Sequence, residues 1–508
     1  MLPKHSIFRN ALLLTAIDLL LRGISMSFQI YLSGVIGAAG LGLLQLVAAV
    51  GTLGMTLGLS GVRTAAMYLC AEEYGKRRPG GMRHVMRLCI LWSSVFSILT
   101  AAALWGFSNQ LAAVWLKDLR AASGLRILAL SLPVECLVCV LCGYFTACGK
   151  LRRLACVEVA ERLVSLALTF LLLRLWAHSE LERACCSLLL GGGGAAVFSA
   201  VWLGLLMRKD FRQYPPVPQP PQLPRRLCRL CVPLALGDYL RSGLRTLEQL
   251  LIPLGLERSG GSTGSAMAAY GTIHAMVFPI LMFPAAIIFS LSELLIPELA
   301  RCRAEGNSRR ILHLTGRSLR LGPVFACGVS ALQFLLARPL GMLFYQSEEA
   351  GHYLRLFAPL IVILYADALV DGMCKGLGQQ AANVRNNTIT SLLDVALLYL
   401  LLPRWGIGGY FFTFVLTHAL NFYLSLRLLL DASGSALPLG PLAKTALCAL
   451  ASAAACLLLP ERGQCLLQIL RTCGLFLAAY LPLLYLTGAL VPNDRRWLRR
   501  TLSRGKGH

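Results

Sequence analysis

The amino-acid sequence predicts an all-α polytopic membrane protein: about fourteen transmembrane helices, as two pseudo-symmetric six-helix lobes followed by a C-terminal helix pair. Three observations carry that expectation. First, 56% of the 508 residues are hydrophobic and only 14% charged, against about one quarter charged in globular domains. Second, window after window holds about 20 mostly apolar residues, the length needed to cross ~30 Å of hydrocarbon. Third, Lys and Arg gather in the short loops of every second connection. That alternation is expected to place those loops and both termini in the cytoplasm.

Taken in order, Lys4 and Arg9 precede a long apolar stretch with no small-residue cleavage site, so it is expected to be a retained first helix. The first six spans cover Ile7–Ile36, Leu41–Cys70, Val85–Phe107, Leu125–Cys148, Leu154–Trp176 and Ala184–Met207. Basic loops follow the second span (Lys76, Arg77, Arg78, Arg83, Arg87) and the fourth (Lys150, Arg152, Arg153). These six spans make an N-lobe, 1–207. Residues 208–229 are basic, with six prolines in the ten residues 215–224, a composition that reads as an extended cytoplasmic tether. A C-lobe, 230–431, then holds Leu234–Leu254, Met267–Leu299, Leu319–Leu336, Tyr353–Leu377, Val384–Leu402 and Gly408–Leu430. Another basic loop, with Arg301, Arg303, Arg309, Arg310 and Arg317, follows the eighth span. Spans thirteen and fourteen, Leu442–Leu459 and Leu466–Val491, occupy 432–491, and 492–508 form a basic cytoplasmic tail.

The formal charge of +24 does not point to nucleic acid, because the cations flank apolar spans and no aromatic-studded basic groove accompanies them. Most of the 18 cysteines lie inside apolar spans, where Cys behaves as a small hydrophobe. The Cys228–Cys231 pair has no second pair at zinc spacing, so no metal site is expected. No catalytic residues are assigned and the chain is read as a non-enzyme. The stretch Gly143–Lys150 lacks both the spacing and the Ser/Thr of a phosphate-binding loop. No cofactor is expected, and His274 and His418 are read as packed polar residues.

The two lobes repeat each other. Residues 125–173 lie on 354–402 without a gap, matching Leu125, Arg126, Ala129, Gly143, Gly149, Leu163, Ala167, Leu168 and Leu171 to Leu173 with identical residues. Partner spans lie six apart and so cross in the same direction, the parallel-repeat plan of transporters with a cavity between halves.

Charge inside the spans is the functional signal, because each buried charge costs about 2.5–3.5 kcal/mol on insertion scales and normally marks a pathway. Span 7 carries Asp238, Arg241, Arg245 and Glu248 at spacings of 3, 4 and 3, on about one quarter of the helix surface. The first span aligns Thr15, Asp18, Arg22, Ser25 and Gln29; the fifth aligns Glu158, Glu161, Arg162, Ser165 and Thr169; the tenth aligns Asp367, Asp371 and Lys375. Arg63 stands on span 2, where it either joins the cavity or snorkels inward. Arginines at the centre suit phosphate, which the guanidinium grips with two donors. Arg22, Arg63, Arg162, Arg241 and Arg245 are therefore the candidate substrate ligands. Asp18, Glu161, Asp238, Asp367 and Asp371 either hold those arginines or bind H⁺ or Na⁺ as coupling ion. The bland alternative is that charges such as Asp238 and Arg241 merely neutralise each other.

The stretches LLLRGISMSFQIYLSGVIGAAGLGLLQL and GLSGVRTAAMYLCAEEYG resemble the start of the sporulation stage V protein B group. That group belongs to the multidrug/oligosaccharidyl-lipid/polysaccharide exporter superfamily, which also holds the lipid II flippases. CGYFTACGK and AYGTIHAMVFPILMFPAAIIFSLSELLIPELAR extend the likeness, which covers the chain to about residue 490. The resemblance implies alternating-access flipping of an undecaprenyl-pyrophosphate-linked oligosaccharide, a peptidoglycan precursor or polysaccharide repeat unit, by a monomer in the bilayer. It also implies cavity arginines on spans 1, 2 and 8. Arg22 matches the first and Arg63 the second, while span 8 carries only His274 and the arginines sit on span 7. Drug-exporting relatives place cation-binding carboxylates on spans 7 and 10, where Asp238, Asp367 and Asp371 stand. The competing readings are a Na⁺- or H⁺-coupled multidrug or metabolite exporter and a non-transporting membrane scaffold.

Overall fold

The computed structural model describes residues 4–75, 79–176, 181–215, 222–458 and 465–489; side chains are described from Leu19 onward. Lys76, Arg77 and Arg78, most of the proline run and the basic tail lie outside these residues.

The described chain is helical and has no strand, and it is an all-α polytopic membrane protein. Two long helices break at glycines with positive φ, Gly37 (φ 68°) and Gly406 (φ 55°). Separated there, they leave fourteen rods among the described residues: α1 (4–36), α2 (38–75), α3 (Met82–Gly106), α4 (Ala121–Ala147), α5 (Leu151–Trp176), α6 (Leu181–Gln213) and α7 (Leu223–Arg258). Then come α8 (263–304), α9 (Ser308–Leu335), α10 (348–376), α11 (380–405), α12 (407–433), α13 (Leu439–Leu457) and α14 (Cys465–Leu486). Helix α2 is interrupted at Ser60 and Gly61 and α8 at Phe283 and Pro284, and shorter helices lie between rods at 108–115 and Ala337–Tyr345. Ten helices are long and apolar enough to cross a membrane by themselves, two of them being the pairs joined through Gly37 and Gly406. Helices α5 and α7 fall outside that ten and carry the charged stripes.

Helix α7 starts eleven residues before its expected span, and α6 continues to Gln213. The tether expected over 208–229 is correspondingly shorter. Pro224 falls in the first turn of α7, where a missing N–H costs nothing and a fixed φ suits a helix start.

The repeat is written into the backbone. The turn from α4 to α5 closes with Gly149 N–H to Thr146 O (3.1 Å) and Lys150 N–H to Phe145 O (3.0 Å). The turn from α10 to α11 closes with Gly378 N–H to Lys375 O (3.0 Å) and Gln379 N–H to Cys374 O (2.9 Å). Both are Schellman endings, and Gly149 and Gly378 have φ of 66° and 68°, a conformation a Cβ disfavours. The residues are 229 apart, as 149 is from 378, and the same interval holds earlier in the chain. Asp118 N–H to Ala112 O repeats as Ser347 N–H to Gly341 O, and the left-handed Lys117 (φ 52°) as Gln346 (φ 50°).

By packing, the described chain forms two compact units. One comprises 20–271 with 398–406; the other comprises 272–397 with 407 onward and the first nineteen residues. In the first unit, α2, α3, α4 and α7 bury a cluster that includes Val62, Leu69, Met82, Met86, Tyr144, Phe145 and Cys231. In the second, α13 and α14 dock on α9: Phe476, Tyr480 and Cys448 form a core against Val324 and Cys327, and Tyr480 donates to Val324 O at 2.8 Å. Helix α8 widens into a π turn at Thr272–Val277, where His274 Nε2 meets Tyr410 Oη at 3.2 Å. Phe278, Phe357 and Phe414 pack around that contact. His418 stacks on Phe414 with ring centroids 3.9 Å apart. Both histidines are packed polar residues.

Candidate functional site

In the first unit the arginine stripes belong to α1, α2, α5 and α7. Arg241, halfway along α7, keeps 58% of its side chain accessible and reaches Asp238 Oδ1 at 3.6 Å, with Asp238 45% accessible. That pair does form, at a loose distance and without enclosure. Arg245, one turn on, is exposed, as are Arg63 and Arg162, and Arg22 is half-buried. The side chain of Asp18 lies outside the described residues. Glu248 lies near Tyr270.

Neighbours on α5 separate. Arg162 is exposed, whereas Glu161 turns into the bundle and accepts a hydrogen bond from Ser199 Oγ of α6 at 2.7 Å. Glu135 of α4, which the sequence reading passed over, accepts from Ser131 Oγ at 2.9 Å and lies within electrostatic reach of Glu161. Arg63 of α2 acts on Glu158 and on Cys139 and Cys142 of α4. Glu135 and Glu161 thus share the interior side of α4–α6, with the exposed Glu158 and Arg63 within electrostatic reach of them. Between α1 and α5 runs an apolar groove of about 590 Å³, with Leu20, Gly23 and Ile24 on one wall and Leu166 and Phe170 on the other.

In the second unit, α10, α11 and α12 face each other through a chain of polar side chains. Asp371 pairs with Lys375 at 2.5 Å and accepts from Asn383 Nδ2, whose Oδ1 accepts from Ser425 at 3.0 Å. Asp367 Oδ2 accepts from Asn421 Nδ2 at 3.1 Å, while its buried Oδ1 has no partner. Thr390 donates to Asn421 Oδ1 at 3.1 Å. Deeper along α11, Asp394 is 7% exposed and accepts from Thr417 Oγ1 at 2.7 Å. Thr413, one turn away on α12, is fully buried, and its hydroxyl has no hydrogen-bond partner.

Asp394, Thr413, Thr417, Asn383 and Asn421 are absent from the charge-based reading. Their signal was a face of α12 at 413, 417 and 421 opposite a face of α11 at 383, 390 and 394. Thr and Asn carry no charge, so most of the stripe does not show in a search for charge. Chemically the cluster offers oxygen atoms with one or two carboxylates, a set suited to a proton or a hard monovalent cation. Among the described residues no group of three or more His, Cys, Asp or Glu could hold a metal ion.

A charged stripe in each repeat, on fourteen helices with a repeated turn, is an arrangement that other chains share. The MatE family model matches residues 16–171 and 262–400, one stretch in each repeat and more than half of the chain. The chain belongs to the MatE family. This MatE protein is 21% identical over 416 residues to stage V sporulation protein B of Bacillus subtilis (strain 168), covering 80% of each chain. It is 22% identical over 274 residues to sporulation protein YkvU of the same organism, covering 53% of this chain and 61% of that one. Among solved structures, the inward closed form of the lipid II flippase MurJ superposes with a TM-score of 0.72 at 12% identity, over 93% of this chain and 98% of that one. An inward-facing multidrug resistance MATE transporter of the MOP superfamily superposes with a TM-score of 0.58 at 15% identity, over 82% and 93%. Identities that low speak for the fold. This MatE protein shares that fold with transporters of the MOP superfamily.

Proposed function

We propose that this MatE protein flips an undecaprenyl-pyrophosphate-linked oligosaccharide, a peptidoglycan precursor or polysaccharide repeat unit, across the cytoplasmic membrane by alternating access. In this reading the basic loops and both termini face the cytoplasm. One observation carries it: Arg63, Arg162, Arg241 and Arg245 all lie within apolar helices yet remain exposed. Hydrocarbon would charge about 2.5–3.5 kcal/mol for each of them, so their surroundings must be wet or anionic. A diphosphate satisfies several guanidinium groups at once with paired charge-assisted hydrogen bonds. The likeness to a lipid II flippase and to stage V sporulation protein B, and the apolar groove beside α5, agree with a substrate that has an anionic head and a hydrocarbon tail.

The carboxylates then have a separate task. Asp367 and Asp394, held by neutral donors from α12 instead of by arginine, serve as H⁺ or Na⁺ sites that couple transport to an ion gradient. The same residues also favour a second reading, a cation-coupled drug or metabolite exporter. The scaffold reading keeps the loose Asp238–Arg241 pair and the closer Asp371–Lys375 pair. Complementation decides among them. Wild-type protein should rescue growth of a strain depleted of its lipid-linked-sugar flippase, and Arg22→Ala or Arg241→Ala should fail at equal protein levels. Full rescue by both variants would reject the diphosphate role, and drug efflux dependent on Asp367 or Asp394 would move the assignment to the exporter.

A further inference from the structure

Sequence repeat and packing divide this chain differently. Besides the first repeat, the unit 20–271 contains three pieces of the second: α7, the first turns of α8 (Thr263–Gly271) and the tip of α11 (398–406). The α8 and α11 pieces lie at the end of the bundle opposite the basic loops, together with the last turn of α7. Two contacts hold them to the first repeat.

The outermost contact is an ion pair. Lys117, in the turn between α3 and α4, places Nζ 2.6 Å from Glu257 Oε2 at the end of α7. Thr263, at the start of α8, donates to the other carboxylate oxygen at 3.0 Å, so one carboxylate joins the first repeat to two helices of the second. The turn does not require a lysine. Its counterpart has the same left-handed backbone at Gln346 (φ 50°) and a neutral side chain. Beneath the ion pair, α2 and α8 meet backbone to backbone. A Cβ on Gly42 would strike Met267 O, and one on Gly271 would strike Ala38 O. At the α11 tip a side chain makes the contact instead, Leu402 filling the space beside Gly255 of α7. A side-chain-free seam like that between α2 and α8 parts and re-forms without rotamer rearrangement, whereas an accessible ion pair supplies a charge-dependent bias of modest size.

We propose that Lys117 and Glu257 are gating residues: a charged lock over the Gly42–Gly271 seam, which keeps the repeats closed at the end away from the basic loops and must open for substrate to leave there. The assignment rests on the transport reading but is tested without a substrate, so the two can fail separately.

The test is hydrogen–deuterium exchange with mass spectrometry on the full chain in phosphatidylethanolamine/phosphatidylglycerol nanodiscs. Uptake is read in peptides spanning 38–45 and 259–271. Lys117→Glu and Glu257→Lys should each speed exchange there roughly threefold, the shift expected for losing an exposed ion pair. The double variant with both charges swapped should return exchange to the wild-type rate. Wild type moved from low salt to ~1 M KCl should show the same acceleration, because screening acts on exposed pairs, and this arm needs no variant to fold. Unchanged exchange in folded single variants, absence of rescue in the swap, or no response of wild type to salt would each overturn the assignment.

Discussion

At the residue scale, Thr413 poses the sharpest question, because its hydroxyl is fully buried and has no hydrogen-bond partner. A buried hydroxyl left unsatisfied costs about 1–3 kcal/mol, so Thr413→Val should raise the melting temperature of the ion-free protein. If Thr413 and Asp394 share a cation, the same substitution should weaken coupling. Transport driven by an imposed Na⁺ or H⁺ gradient in proteoliposomes should then fall at least several-fold, and Asp394→Asn should abolish the gradient dependence. Gradient-driven flux unchanged in both variants would remove this pair from the coupling role. Gly149 and Gly378 make a simpler prediction. Alanine at either left-handed position should cost roughly 1–2 kcal/mol, read as a lower melting temperature with no change of fold. Charged residues such as Arg241 and Asp371 were legible in the sequence because a charge inside an apolar run is conspicuous. Asp394 was passed over because no other charge stands within two turns of it on α11 and its hydrogen-bond partner, Thr417, is an uncharged residue on another helix.

At the element scale, the helices follow from apolar length and from their breaks. The spans expected from hydropathy lie within the rods except for a residue or two at some ends and the end of the fourteenth, expected to Val491 where the helix stops at Leu486. The positive-φ glycines at 37 and 406 divide what would otherwise be continuous helix. The start of α7 was missed because basic residues and Pro224 read as linker, although proline suits a first turn. The π turn in α8 leaves no mark in the sequence either, since it answers to the packing of His274 against Tyr410 and the phenylalanines. Docking of the last two helices depends on one directed bond: Tyr480→Phe should lose the bond to Val324 O and about 1 kcal/mol of stability, seen as a modest drop in melting temperature. At the end of α7, beyond its apolar span, hydrogen bonds from Lys117 and Thr263 hold the Glu257 carboxyl below its usual range. Its contribution is therefore complete above the ordinary Glu value, about 4.3, and is lost only as pH falls through the lower folded value. The protection factor at 259–271, which corrects exchange for its intrinsic dependence on pH, should stay constant between about pH 7 and pH 5 if that holds, and should fall in more acid solution.

At the scale of the whole molecule, fourteen helices and two related halves could be read from 508 letters, because membrane spans announce themselves by length and the repeat kept its glycines. The division into compact units could not, since periodicity does not report which helices touch. Packing assigns the α8 tip to the first repeat's unit through backbone contacts at Gly42 and Gly271, and the α11 tip through Leu402 against Gly255. Function stands between these limits. Family and fold place the chain among MatE proteins with the fold of MOP-superfamily transporters, and the proposed anionic substrate rests on the exposed arginines within its helices. The direct measurement is native mass spectrometry of the protein in detergent with a long-chain isoprenyl diphosphate. Wild type should retain the lipid, and Arg22→Gln and Arg241→Gln should each weaken binding by about tenfold or more, as expected for losing charge-assisted bonds worth ~1.5–3 kcal/mol. Equal retention by wild type and both variants would contradict the claim that these arginines grip a diphosphate.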